Sequence, residues 1–177
     1  MHVRWLIGTS LAALAPVAEL VYAAEYMSVE TAQHAAFPDA SAFDPVLVAS
    51  DVKAAIARES GRFVVDPRVW RAHAGDRDLG WYVVDEVIGK VELITYGVAL
   101  ERDGAVKSID ILAYRESHGD AIRLASWRAQ FTGKRAADPV KLDVDIRNLS
   151  GATLSSRHVT EGVHRILQIY QRALSHG

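Results

Sequence analysis

The chain of 177 residues has no cysteine. That excludes disulfide staples, iron–sulfur ligation by Cys, c-type haem attachment and thiol chemistry. Basic side chains are not in excess either: 20 Lys and Arg face 22 Asp and Glu, for a net charge of −2. A nucleic-acid-binding surface needs a cationic surplus, so no nucleic-acid partner is expected. There is no Gly-x-Gly-x-x-Gly fingerprint, no phosphate loop and no Gly-x-Ser-x-Gly elbow. His158 and His164 fall on different faces of any helix, so they do not make a helical metal pair, and no metal site is expected. What the chain does have is 50% hydrophobic residues, enough for a packed core and too many for a disordered tail.

The first two dozen residues read as a targeting segment. Met1-His2-Val3-Arg4 is a short basic stretch, residues 5–18 are uncharged and mostly apolar, and Val21-Tyr22-Ala23 precedes a plausible cleavage point. This is the layout of a secretory signal peptide. A spanning helix wants roughly 20 apolar residues in a row; Pro16 and Glu19 interrupt the wider stretch here. Residues 1–23 are therefore expected to be a signal peptide, with an uncleaved anchor as the alternative. The rest is expected to be exported, to the periplasm or the periplasmic face of the inner membrane.

From residue 24 onward nothing splits the chain, and ~150 residues suffice for one core. Ser28 reads as the cap of a helix over Val29–Ala36, and Ser50 as the cap of a second helix ended by Gly61. Residues 81–87 and 90–100 are β-branched and aromatic, hence strands, and Asp103-Gly104 is a hairpin turn into a strand over Val106–Tyr114. A helix is expected over 122–131 and a short strand over 142–146, where Asp143 and Asp145 would share a face. Val159, Val163, Ile166, Leu167, Tyr170 and Leu174 recur at helical spacing, so the chain ends in an amphipathic helix that Ser155 or Ser156 would cap. The expected fold is α+β, an antiparallel sheet packed with helices in a single domain over 24–177.

The segment that carries chemistry is Ser150-Gly151-Ala152-Thr153 followed by Ser155-Ser156, directly before the best helix in the chain. It sets a Thr hydroxyl beside a helix N-terminus, where free N–H groups and the helix dipole favour a phosphate. Arg157, in the first turn, adds a charge-assisted contact. The same residues resemble the flavinylation motif of the FMN-binding domain family, which includes flavin-carrying subunits of the sodium-pumping NADH:quinone reductase and of the Rnf complex. The resemblance extends to Ser28-Val29-Glu30-Thr31-Ala32-Gln33, to Ile88-Gly89-Lys90 with Tyr96, to Tyr114-Arg115-Glu116-Ser117-His118-Gly119 and to Trp127-Arg128-Ala129-Gln130-Phe131-Thr132-Gly133-Lys134. His118 stands where the family often has Pro, and Arg147 and Asn148 stand near where it often has an acid.

The resemblance implies a covalent FMN cofactor, joined through its phosphate to Thr153 by a separate Mg-dependent FMN transferase. Gly151 and Ala152 would let the loop enter the transferase, and Ser150 would brace it by a hydrogen bond to the backbone. Glu116, Ser117, Gly119, Trp127, Phe131 and Lys134 are candidates for the isoalloxazine surroundings. The implied role is an electron carrier between a membrane-bound donor and another redox acceptor. A reductase of a small substrate and a non-redox binding domain are the alternatives, and no residue is expected to be catalytic.

Overall fold

The computed structural model describes residues 24–116 and 119–175. The expected signal segment 1–23, Ser117 and His118 lie outside the described residues. Along the chain come β1 (Ala24–Glu25), α1 (Val29–Ala36), β2 (Ala42–Val46), α2 (Ser50–Ser60), β3 (Arg68–Ala74), β4 (Arg77–Ile88), β5 (Leu93–Glu101), β6 (Val106–Tyr114), α3 (Ala125–Arg128) and α4 (Thr153–Ile169). The strands form one antiparallel sheet in the order β1-β6-β5-β4-β3-β2. The α+β class read from the sequence is the class observed.

Both faces of the sheet are covered, which is why residues 81–84 of β4 and 93–100 of β5 carry no charge. On one face lie α2 and α4, with Ile56, Val83, Val98, Ile109, Val159, Val163 and Ile166 in the main core. On the other, α1 brings Ala32, Ala36 and Phe37 onto Tyr82, Val84, Ala99 and Leu112. α1 begins as its sequence predicts: the Thr31 N–H donates to Ser28 Oγ at 3.1 Å. α2 does not. Ser50 is its first helical residue, Ala49 precedes it without a side-chain cap, and Asp51 Oδ1 accepts from Val52 N at 2.9 Å instead.

Two further expectations are corrected. The helix expected over 122–131 breaks into a 3-10 turn (Asp120–Arg123), the single turn of α3, and another 3-10 turn (Ala129–Phe131). Leu124, with ψ 124°, is the break, and the bent path buries Ile122, Trp127 and Phe131 together. The strand expected over 142–146 is a tight turn closed by a bridge between Leu142 and Ile146. Asp145 organises it: its carboxylate accepts from Lys141 N at 2.8 Å, Val140 N at 3.2 Å and Lys134 Nζ at 2.8 Å. Asp143, in the turn, has a left-handed φ of 62°.

α4 lies close on the sheet because Gly162 leaves room for Tyr96. A Cβ at residue 162 would run into the Tyr96 hydroxyl. That hydroxyl cannot swing away freely, because it donates to Asp85 Oδ2 at 2.7 Å. Gly162→Ala is therefore expected to cost about 1–3 kcal/mol by overpacking, despite the better helix propensity of Ala, and urea denaturation measures it.

Candidate functional site

Thr153 opens α4 at the end of the sheet where β4 stops, β5 starts and β6 stops. The chain reaches it through an open turn, in which the Ala152 N–H donates to Leu149 O at 3.0 Å and Gly151 takes a left-handed φ of 81°. A side chain at 151 would be strained in that conformation. Thr153 is exposed, and its hydroxyl makes no hydrogen bond among the described residues. Among the described residues no side chain caps α4. The first intrahelical bond runs from Ser156 N to Ala152 O, and among the described residues no cap engages the N–H groups of Thr153, Leu154 and Ser155.

Ser155 and Ser156 are thus not the caps that the sequence suggests; both are buried inside the first turn. Ser155 Oγ meets the Tyr114 hydroxyl at 3.1 Å. Ser156 Oγ donates to Asn148 Oδ1 at 3.0 Å, and the same oxygen accepts from Leu149 N at 2.7 Å. Asn148 Oδ1 thereby joins the turn to the first turn of α4. Ser150 is exposed, and its hydroxyl makes no hydrogen bond among the described residues, so the turn is braced by Asn148 and not by Ser150. Arg157 is exposed and lies one helical turn beyond Thr153, on the same face of α4.

Two loops pack beside this turn. Gly119, with φ 95°, sits where a Cβ would strike the Tyr114 hydroxyl and would lie 3.6 Å from the Ala152 Cα. Glu116 does not project outward: its carboxylate accepts from Val91 N at 2.6 Å and Glu92 N at 2.9 Å, pinning the β4–β5 turn. Burial raises its pKa, but these N–H donors and Lys90 outweigh that and hold it below the usual carboxylate range. His158 Nδ1 donates to Ile88 O at 2.6 Å, which ties α4 to the same turn. The acceptor is a carbonyl, so the proton must sit on Nδ1.

A cleft of about 940 Å³ opens next to the Thr153 turn, lined among others by Ser126, Trp127, Gln130, Lys134, Val144 and Leu149. That is within the range of small-molecule pockets, about 300–1,000 Å³. Asn148 and Leu149 belong to both the cleft wall and the turn. Trp127 is buried, its Nε1 donates to Arg147 O at 2.9 Å, and its ring packs edge-on against Phe131 at 5.1 Å. Gln130 Oε1 accepts from Arg147 N at 2.8 Å, so the 147–149 segment is anchored through both polar backbone groups of Arg147. Lys134, at the far wall, is paired with Asp145. Burial raises the Asp145 pKa, and the hydrogen bonds from Lys134 and Lys141 N more than reverse this, leaving it lowered.

The structure therefore brings Trp127 and Lys134 to one cleft beside Thr153, and Glu116 and Gly119 to the other side of the turn. Ser117 lies outside the described residues. Asn148, Gln130 and Tyr114 are absent from the candidates named from sequence. Their bonds to residues 8, 17 and 41 positions away carry no local pattern.

Residues 89–168, from the β4–β5 turn through most of α4, match the FMN-binding domain. A subunit of the Na(+)-translocating ferredoxin:NAD(+) oxidoreductase complex of Acetobacterium woodii is 29% identical over 92 residues, a stretch that covers 47% of this chain and 43% of that protein. The chain thus spans less than half the length of the curated relative it matches. The segment that is similar to the FMN-binding domain is the one that builds the Thr153 turn and its cleft.

Proposed function

We propose that this protein is an extracytoplasmic electron-transfer flavoprotein that holds FMN as a phosphodiester on Thr153 Oγ1. The observation that carries the reading is Thr153 itself. It is the exposed first residue of an uncapped helix, reached through a glycine turn, with an unengaged hydroxyl. Such a turn enters a modifying enzyme with little rearrangement. The nearby Ser155 and Ser156 hydroxyls are buried and bonded, so they are poor competitors as acceptors.

The residues fit the group. The uncapped N–H groups and Arg157 would hold the phosphate, whose negative charge the helix dipole favours. Trp127, Val144 and Leu149 would supply apolar surface for the ring system, and Gln130 and Asn148 polar edges. Bound there, the flavin supplies the redox chemistry. The chain orients it and shields one side from water. Lys134 and Asp145 keep the cleft wall in place through their ion pair.

A tether is what an exported carrier needs. At a Kd of about 1 μM a free cofactor is held by only about 8 kcal/mol, and a lost copy outside the cytoplasm has no pool to replace it. Maturation requires a Mg-dependent FMN transferase. The working partners are a membrane-bound donor and a second redox protein, in keeping with a relative that is a subunit of an oxidoreductase complex. Intact mass of the chain from cells making the transferase tests the reading. One added FMN is expected, and an unmodified polypeptide would refute it.

A further inference from the structure

We propose that the Thr153 end of the domain rests in the interface of a lipid bilayer, inserting Ile88, Val91, Leu124 and Leu154. These aliphatic side chains expose 47, 72, 53 and 42% of their surface. Single exposed aliphatics are ordinary, but these share one end of the fold. Ile88 closes β4, Val91 sits in the β4–β5 turn, Leu124 follows the 3-10 turn after Gly119, and Leu154 is in the first turn of α4. Cross-bonds hold them as one surface. Glu116 takes the Val91 N–H, His158 takes the Ile88 carbonyl, and Gly119 packs on Ala152.

Each turn that offers an aliphatic also offers a base. Lys90 precedes Val91, Arg123 precedes Leu124, and Arg157 lies one turn from Leu154. Among the described residues Arg157 makes no ion pair, Lys90 faces the Glu116 carboxylate without a close ion pair, and Arg123 lies over the Tyr26 ring at 3.6 Å with no carboxylate within 4.0 Å. Long basic side chains beside buried aliphatics are the arrangement that reaches up to lipid headgroups. Glu25, Glu92 and Asp120 share this end, so apolar insertion, not net charge, sets the affinity.

The chain's own path points to lipid. The apolar run of residues 5–18 joins the fold at Ala24. Ala24 pairs with Tyr114, whose hydroxyl touches Ser155, two residues from Thr153. Ala24, the first described residue, and the aliphatic rim thus lie at the same end of the domain.

The absence of cysteine makes the test clean. Val91→Cys, Leu124→Cys and Leu154→Cys in the full chain, each labelled with an environment-sensitive dye, are mixed with phosphatidylethanolamine–phosphatidylglycerol vesicles. Leu47→Cys, 98% exposed just after edge strand β2, is the control. Blue-shifted emission is expected at 91, 124 and 154 and not at 47. Equal shifts at all four positions would show unoriented adhesion and overturn the proposal, as would no shift at 91, 124 and 154. Shifts that appear without vesicles as protein concentration rises would assign the rim to a second copy of the chain and overturn it too. The chain is made without transferase, so the result is independent of flavin, and failure here leaves the Thr153 reading standing.

Discussion

Thr153→Ala, made in cells that supply the transferase, is expected to be folded, colourless and equal in mass to its polypeptide, whereas the parent carries one FMN through denaturation. The loss should be complete, because the variant removes the acceptor oxygen and little else. Thr153 Oγ1 makes no hydrogen bond among the described residues and does not cap α4. Ala is a better helix former than Thr, so the thermal midpoint should stay within the effect of about 0.5 kcal/mol typical of surface changes. Thr153→Ser restores a hydroxyl at the same place and should restore flavin. Ser150 is the exposed neighbour that could substitute, so Ser150→Ala is the companion variant; it should remain yellow. A Thr153→Ala protein that keeps colour after denaturation would move the linkage elsewhere.

The features legible in the sequence are those set by local chemistry. Ser28 caps α1 through a contact three residues away, Asp103-Gly104 turns β5 into β6, and the apolar period of α4 reports the face it buries. Edge strand β2 is hidden by Pro45, which only an edge position tolerates. The alternation of Leu142, Asp143, Val144, Asp145 and Ile146 imitates a strand, but Asp145 draws three donors onto one carboxylate and folds the segment into a turn. One of those donors, Lys134, is remote in sequence, and no period reveals it. Ser155 and Ser156 mislead for the same reason. A hydroxyl near a helix start suggests a cap, and only the distant Tyr114 and Asn148 show that both point inward. Thr153, the proposed acceptor, is readable because its motif is contiguous. The cleft beside it is only partly readable, because Gln130, Asn148 and the 142–146 turn meet through the tertiary fold.

Arg165→Met is expected to be the most destabilising single change at the α4–sheet interface, by about 3–5 kcal/mol at neutral pH. Asp85 is fully buried on β4, in the main core beneath α4. Its Oδ2 accepts from the Tyr96 hydroxyl at 2.7 Å and lies 3.8 Å from the Arg165 guanidinium, while Oδ1 has no partner among the described residues. Arg165 is itself buried and lies over the Phe63 ring at 5.6 Å. Removing the cation leaves a carboxylate in an apolar layer with one hydrogen bond. Even in the parent, burial raises the Asp85 pKa, against the lowering effects of Tyr96 and Arg165. A carboxyl whose folded pKa exceeds its unfolded value binds a proton more readily when folded, so stability falls as pH rises from the unfolded to the folded pKa. Loss of Arg165 moves the folded value further up and widens that window. The deficit of Arg165→Met should therefore shrink on acidification toward the ordinary carboxylate range, where the buried group is neutral. Replacing both partners, as Asp85→Leu with Arg165→Met, should recover most of the loss, since an apolar pair leaves no charge behind. Urea denaturation of the parent, the single and the double variant across pH measures all of this. A single-variant deficit that is independent of pH would mean that packing of Arg165 against Phe63, and not the charge on Asp85, holds α4 in place.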